Sequence, residues 1–217
     1  MSLDDEKRLA AEAAAELVES GMTVGLGTGS TVAHLLPAIA RRGLTDLRCV
    51  ATSPATSEQA RSLGIPVEDF DTLARLDIAI DGTDEVTPDG WLIKGGGGAH
   101  LREKIVAAAA DRFVVIADSS KPVEKFTWPV PLELFAFGLS STLERLGPDV
   151  ALRPDTAPSP DGGVIADYRG PGREDAASLM PRLEGDPGVA AQGLFAPSLV
   201  SDVFIARGDQ VSHTKVD

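Results

Sequence analysis

Two aspartates and a glycine run with charged neighbours carry the clearest chemical potential of this 217-residue sequence. Asp81 and Asp84 lie three residues apart around Gly82. One short turn can direct both carboxylates into the same cleft, where they could accept hydrogen bonds from sugar hydroxyls or transfer protons. Asp-Gly and Thr-Asp pairs are also ordinary turn residues, and for this pair taken alone that explanation is the better one.

The four glycines Gly95–Gly98 are harder to explain as structure alone. Such a run costs backbone entropy and packs no side chains, which favours close approach of the backbone to a ligand. Lys94 precedes the run, and Glu103 falls in the first turn of a helix predicted over residues 99–110. The helix dipole favours an ionised Glu103, as a general base requires. The alternatives are a capping role for Glu103 and a solvated strand end for Lys94.

A second glycine turn, Gly25–Gly29, follows a short apolar run and opens a predicted helix with Ser30 and Thr31. Backbone N–H groups and the helix dipole in such a turn can hold an anion. The dinucleotide fingerprint fails because position 30 is serine, and no lysine follows as in an ATP-binding loop. The turn therefore favours one small phosphate over NAD or ATP. A tight turn with Ser30 as the N-cap is the alternative.

Strands and helices alternate through the first half, which predicts a parallel Rossmann-like sheet flanked by helices. Ligands of such sheets bind beyond the carboxyl ends of the strands, where the residues above fall. Lys121, beyond the strand 113–117, is a further phosphate cation or else a solvated loop lysine. The predicted helices are 4–20, 30–42, one ending at 63, and 99–110; the predicted strands are 24–26, 47–51, 77–80, 91–94 and 113–117.

The pattern changes after residue 121 to the order β-α-β-β-α-β, which matches the ferredoxin-like or split βαβ unit. We expect a smaller α+β domain over residues 127–198 and an α/β catalytic domain over 1–126 and 199–217, whose sheet regains a strand from 199–206. The elements predicted in the smaller domain are strands 128–134, 150–153, 163–168 and 189–194 and helices 136–146 and 174–184.

Composition excludes several classes of partner. A formal charge of −13 and a sequence pI of about 4.6 disfavour non-specific binding to nucleic acid. No segment is long and apolar enough to span a membrane, and the N-terminus is acidic where a secretory signal is basic. The single cysteine, Cys49, favours a reducing compartment, so we expect a cytoplasmic protein. No His or Cys pair has metal-ligand spacing, so no metal is expected.

Taken together, four motifs resemble type A ribose-5-phosphate isomerase in order and spacing across about residues 7–135. The family's members interconvert ribose 5-phosphate and ribulose 5-phosphate in the pentose phosphate pathway without a metal or organic cofactor, and usually form dimers or tetramers. The resemblance therefore implies a homodimer or tetramer here. The matching segments are 25–31, 81–85, 94–104 and 117–121.

The resemblance also implies individual roles. Glu103 would be the proton acceptor, and Lys94 would stabilise an enediolate. Asp81 and Asp84 would hold hydroxyls and help to open the sugar ring. The implied substrate-binding residues are Thr28, Gly29, Ser30 and Thr31, chiefly for the phosphate with Lys121, and Asp81, Gly82, Thr83, Asp84, Lys94, Gly95, Gly96 and Gly97 for the sugar.

Two departures from the family pattern stand out. Thr83 replaces a common small alanine, and His100 occupies a place usually taken by an apolar residue. Two other functions stay open: a non-catalytic sugar-phosphate sensor, and an isomerase or deaminase of another sugar phosphate. An added DNA-binding module would distinguish a sensor of the transcription-regulator type, and turnover of several pentose and hexose phosphates would separate the enzymes.

Overall fold

The computed structural model describes residues 1–216. The α-helices are α1 (Leu3–Ala15), α2 (Val32–Arg41), α3 (Pro54–Ser62), α4 (His100–Ala109), α5 (Leu139–Leu146) and α6 (Ala176–Glu184). The strands are β1 (Thr23–Leu26), β2 (Arg48–Ala51), β3 (Ile78–Gly82), β4 (Glu85–Val86), β5 (Leu92–Ile93), β6 (Phe113–Asp118), β7 (Val130–Leu134), β8 (Val150–Leu152), β9 (Val164–Tyr168), β10 (Val189–Gln192), β11 (Leu194–Phe195), β12 (Asp202–Arg207) and β13 (Gln210–Lys215).

The chain divides into two compact units. Unit 1 comprises residues 1–83, 102–121 and 197–217, and unit 2 comprises 84–101 and 122–196. The domain boundaries expected from the sequence stay a prediction. These units group the chain differently at residues 84–101, which belong with the later segment.

Unit 1 is built on a six-stranded sheet in the order β13-β12-β6-β3-β1-β2. Neighbouring strands from β12 to β2 run parallel, and only the edge strand β13 pairs antiparallel, with β12. The predicted α/β class with a mainly parallel sheet is confirmed, as is the return of a late strand to this sheet.

Successive side chains along each strand point to opposite faces of the sheet. Leu26 and Ile80 lie in the core that packs under α1 and α2, and both are fully buried. Gly25 and Ala79 point to the opposite face, where a Cβ built on Gly25 would lie 2.5 Å from Val106 of α4 and 2.9 Å from Ala79. Glycine at position 25 therefore lets α4 pack closely on that face.

Helix α1 begins at a capping box, in which Ser2 and Asp5 satisfy each other's backbone N–H groups. It ends at Ala15, five residues before the predicted end. The guanidinium of Arg42 donates to the carbonyls of Ala15 and Val18, so it takes up acceptors that a longer helix would use. Val18 nevertheless stays in the core, fully buried.

Unit 2 contains a four-stranded antiparallel sheet in the order β10-β7-β9-β8. With α5 after β7 and α6 after β9, its connectivity is the predicted split βαβ pattern. A separate three-stranded sheet, β11-β5-β4, also belongs to this unit. The assignment of residues 91–94 to a strand–loop–helix repeat of the parallel sheet is wrong, since β5 pairs antiparallel with β4 and β11.

No helix among residues 1–216 has the length and apolar character needed to cross a bilayer.

Candidate active site

Three loops of unit 1 leave the same edge of the parallel sheet. Strands β6, β3 and β1 are adjacent and parallel, so their carboxyl ends meet there. The loop after β1 is Gly27–Thr31, the chain leaves β3 at Asp81–Thr83, and the loop after β6 is Ser119–Lys121. Most of the predicted site residues of this unit are thus gathered at one edge.

Asp81 holds the glycine turn in place. Its Oδ1 atom accepts hydrogen bonds from the N–H of Thr28 at 3.0 Å and from the N–H of Gly82 at 2.7 Å. A Cβ on Gly27 would lie 2.0 Å from the same oxygen, so position 27 requires glycine. Asp81 is 3% exposed, a burial that an ionised carboxylate tolerates only with donors of this kind.

The start of α2 differs from the alternative in which Ser30 is the N-cap. Thr31, not Ser30, is the N-cap residue, and its side chain makes no capping hydrogen bond. Ser30 is exposed and Thr31 buried, and the Gly29 backbone has a φ of +118°. Thr28 is instead tied down, because its hydroxyl lies 2.7 Å from that of Thr52. Of the hydroxyl residues in this turn, Ser30 is therefore the exposed one, at the start of α2.

Glu103 lies on the face of the sheet to which Asp81 points. It precedes Val106 by one helical turn, and Val106 packs on Gly25. The other end of α4 lies at the amino edge of the sheet, where the carbonyl of Ala109 accepts from Leu76. Three helical residues rise about 4.5 Å and the two strand residues from Ala79 to Asp81 about 6.6 Å, so Glu103 comes near the level of Asp81. It is 5% exposed.

The loop bearing Lys121 is held by a residue that the sequence reasoning did not select. The carboxylate of Glu6 on α1 accepts hydrogen bonds from the N–H of Ser119 at 2.9 Å and of Gly208 at 2.7 Å. A hydrogen bond with the Ser119 side chain, followed by these backbone bonds, lowers the pKa of Glu6 below its ordinary value. Lys121 itself is half-buried and its backbone N–H donates to the carbonyl of Asp118.

In unit 2, Asp84 directly precedes β4 and Lys94 directly follows β5, its antiparallel partner. The N–H of Asp84 donates to the Ile93 carbonyl, and the N–H of Lys94 donates to the Gly193 carbonyl, both at 2.9 Å. Lys94 is 2% exposed, and its Nζ lies 5.5 Å from the ring centroid of Phe195. A buried cation over an aromatic face keeps part of its electrostatic stabilisation. Thr83, half-buried, precedes Asp84 in the chain.

The glycine run is tightly packed at its start and open in its middle. Gly95 has a φ of +110°, and a Cβ there would lie 2.7 Å from Nδ1 of His100. Oδ2 of Asp84 accepts from the N–H of Gly96 at 2.7 Å. Gly97 is exposed, with nothing near the position of a Cβ. His100 is fully buried under Gly95, so it supports the run from beneath.

Two further unit 2 residues escaped the sequence reasoning because their partners are distant in the chain. Glu85 is 3% exposed and accepts from the backbone N–H groups of Thr127 and Trp128 at 2.9 and 3.1 Å. Arg153 donates to carbonyls of the glycine run. Its place directly after Asp84, within the matching segment 81–85, was the one available sequence signal for Glu85.

Cys49 is a buried thiol on a strand. It is 1% exposed on β2, and burial raises its pKa to about 12. Such a thiol is not a nucleophile near neutral pH. Among residues 1–216, no group of three or more His, Cys, Asp or Glu side chains is arranged to hold a metal ion.

Comparison with known proteins identifies the family. The profile of the family described as ribose 5-phosphate isomerase A (phosphoriboisomerase A) matches residues 48–210. A protein of Caulobacter vibrioides named ribose-5-phosphate isomerase A is 47% identical over 208 residues, covering 90% of this chain and 91% of its own. One of the same name from Gluconobacter oxydans is 43% identical over 220 residues, covering 95% of each chain.

Solved structures agree. A D-ribose-5-phosphate isomerase in complex with phospho-erythronic acid superposes with a TM-score of 0.93 at 30% identity, covering 99% of this chain and all of its own. The ribose 5-phosphate isomerase A of Neisseria gonorrhoeae gives 0.93 at 32% identity, covering 100% and 98%. The resemblance seen in the four motifs is confirmed, and the chain belongs to the ribose-5-phosphate isomerase A family.

Proposed function

We propose that this chain interconverts ribose 5-phosphate and ribulose 5-phosphate, with Glu103 moving the proton. One observation carries the assignment of roles: a single edge and face of the unit 1 sheet gathers the Gly27–Thr31 turn, Asp81 and Glu103. Family membership supports the substrate class, since the relatives bear the name of this activity.

The phosphate binds at the start of α2. The N–H groups of this helix start and the hydroxyls of Ser30 and Thr31 supply donors, and Lys121 supplies a cation from the neighbouring loop. Because the whole chain carries a formal charge of −13, an anionic substrate needs such a local positive site. Binding energy from the phosphate orients the distant reacting carbons.

The reaction is a proton transfer between neighbouring carbons. Glu103 removes the proton from C2, which leaves an enediolate, and delivers it to C1 while the hydroxyl proton of O2 passes to O1. One carboxylate therefore serves as base and then as acid. Asp81 and Asp84 accept hydrogen bonds from sugar hydroxyls and assist ring opening. The carboxylate of Asp81 is already fixed by its backbone donors, so it needs little rearrangement to accept them.

The enediolate carries negative charge on oxygen. Lys94, buried and oriented by Phe195, and N–H groups of Gly95–Gly97 stabilise this charge from fixed positions. No step requires a metal or an organic cofactor, because the proton acceptor and the charge-stabilising groups are all side chains and backbone of the protein.

Incubation with ribose 5-phosphate in heavy water tests the activity. We expect ribulose 5-phosphate to form with deuterium at the carbon next to the carbonyl. Other pentose and hexose phosphates should turn over far more slowly; equal turnover of a different sugar phosphate would assign the substrate elsewhere.

The variant Glu103→Gln tests the proton acceptor. Loss of a general base lowers turnover by about 10²- to 10⁴-fold, while inhibition by inorganic phosphate should persist because the phosphate site is intact. The control is Glu12→Gln, a half-buried surface glutamate on α1, outside the proposed site, that should retain wild-type kcat. A Glu103→Gln enzyme near wild-type activity removes Glu103 from the mechanism.

We also propose that the protein acts as a homodimer or tetramer in the cytoplasm. The family resemblance supports the assembly, and a single buried thiol suits a reducing compartment. Light scattering of the purified protein measures its oligomeric state.

A further inference from the structure

Arg153, just after β8, is bonded on both sides within unit 2. Its guanidinium donates to the carbonyls of Gly95 at 3.2 Å and Gly96 at 2.9 Å. Its other edge binds Asp167 of β9 through two bonds of 2.6 and 3.2 Å. The arginine side chain is 18% exposed and the aspartate 8%, so solvent screens this arrangement little.

Sheet register explains why the arginine is rigid. Strand β8 pairs with β9 so that Ala151 lies opposite Asp167, and the N–H of Arg153 donates to the Ile165 carbonyl. The bidentate carboxylate then fixes the plane of the guanidinium. Arg153 therefore offers its remaining donors to the glycine run in one orientation.

Fixing two carbonyls also fixes the N–H groups behind them. In a trans peptide the C=O and the following N–H point in opposite directions, and the described residues contain no cis peptide. The peptide joining Gly95 and Gly96 is held at both ends, by Arg153 at its oxygen and by Asp84 at its N–H. The peptide joining Gly96 and Gly97 is held at its oxygen, which turns the Gly97 N–H away from Arg153.

We infer that Arg153, locked by Asp167, is a positioning residue that aims the Gly97 N–H at the enediolate oxygen. The inference rests on the proposed role of the glycine run. A four-glycine segment has no side chains to fix its peptide planes. Its own turn bond, from the Gly98 N–H to the Gly95 carbonyl at 3.0 Å, does not involve the central peptide between Gly96 and Gly97, whose oxygen Arg153 holds. A preorganised donor stabilises developing charge because it need not reorient during the reaction.

Kinetics of the Arg153→Lys and Asp167→Asn variants test this. Lysine keeps the charge but cannot bind two carbonyls and a carboxylate together in the fork geometry. We expect kcat to fall by about 10- to 100-fold, the scale of a misplaced or lost oxyanion donor. Affinity for phospho-erythronic acid should fall in parallel, whereas inhibition by inorganic phosphate stays within about twofold, because phosphate alone does not use this donor.

A matched control is Arg145→Lys. Arg145 makes the same bidentate pair, with Asp186 at 2.7 and 2.8 Å, in the same unit but without bonds to the glycine run. It should keep wild-type kcat. An Arg153→Ala variant adds a rescue test, in which added guanidinium ion restores part of kcat. Added guanidinium ion would not restore kcat if the Arg153→Ala variant had lost activity only through a damaged fold.

The outcomes separate this inference from the proposed function. Gly97→Ala folds without a clash, and crowds the substrate if the run contacts it. If Gly97→Ala is impaired while Arg153→Lys and Asp167→Asn both keep near wild-type kcat, the positioning role of Arg153 is overturned. The proposed role of the glycine run then stands. The positioning role is also overturned if these two variants lose inhibition by inorganic phosphate to the same extent as they lose kcat. If Gly97→Ala keeps wild-type kcat, the glycine run does not take part in the mechanism, and the positioning role of Arg153 is overturned as well.

Discussion

At the residue scale, Asp81 links the shape of the proposed phosphate turn, Gly27–Thr31, to the sugar-binding chemistry proposed beside it. Asp81 accepts from two backbone N–H groups, and its oxygen occupies the space where a side chain on Gly27 would begin. The turn and the carboxylate therefore depend on each other. A change at either residue should disturb both phosphate binding and sugar binding.

The variant Gly27→Ala measures this dependence. A Cβ 2.0 Å from the Asp81 oxygen must displace the carboxylate or the turn, and overpacking of this kind costs about 1–3 kcal/mol of stability. We expect a lower melting temperature together with a higher KM and a lower kcat. Gly43→Ala, whose site has open space but a φ of +60°, separates backbone strain from the clash, because it should affect stability alone. Wild-type kinetics in Gly27→Ala would show that the close approach does not matter.

At the element scale, α1 supports the site although none of the four motifs lies on it. Glu6 joins α1 to the loop after β6 and to the turn between β12 and β13. Hydrogen bonds with the Ser119 side chain and with the N–H groups of Gly208 and Ser119 hold its pKa low, which favours the ionised carboxylate. The helix thus fixes the loop that carries Lys121.

Glu6→Gln should lower the melting temperature and raise KM more than it lowers kcat. The amide presents a donor where two N–H groups need acceptors. Because the folded-state pKa of Glu6 lies below its ordinary 4.5, the ionised group stabilises the fold fully above about pH 4.5, and this advantage disappears as pH falls through the folded-state pKa. The stability gap between wild type and variant should therefore close in acid.

Thermal melts between pH 3 and 8 give the comparison. Glu12→Gln on the same helix is the control, since its exposed pairs with Arg8 and Arg41 contribute less than about 1 kcal/mol. A Glu6→Gln stability loss that is independent of pH would contradict the assignment of an ionised anchor.

Local patterns predicted the elements, and long-range pairing limited the prediction. Apolar strands followed by glycine turns located β1, β2, β3 and β6, because periodicity and turn chemistry are local properties. The two-residue strand β5 takes its partners from β4 and from β11, about a hundred residues later, which no local pattern reveals. Arg153 escaped for the same reason, since its role depends on a glycine run 57 residues away.

At the scale of the whole molecule, the net negative charge governs solubility, whereas the proposed chemistry depends on a few local groups. The formal charge of −13 disfavours non-specific association at neutral pH. In the proposed mechanism, Lys94, Lys121 and the start of α2 bind an anionic substrate against the electrostatic field of the rest of the chain.

Solubility should pass through a minimum near the sequence pI of about 4.6, where the net charge vanishes and association is favoured. Light scattering between pH 8 and 4 would detect it, and circular dichroism on the same samples would show whether the fold persists. Undiminished solubility through that range would mean that charge repulsion does not keep the protein dispersed.

The anchoring of Trp128 beside Glu85 has a practical consequence for optical work. Both tryptophans, Trp91 and Trp128, belong to unit 2, as does the single tyrosine, Tyr168. Tryptophan and tyrosine fluorescence therefore reports on unit 2, which contains the glycine run. Unit 1, which contains the Gly27–Thr31 turn, has no tryptophan or tyrosine. An emission change on adding sugar phosphate, absent with inorganic phosphate, would give a label-free signal from the half of the chain where Lys94 lies.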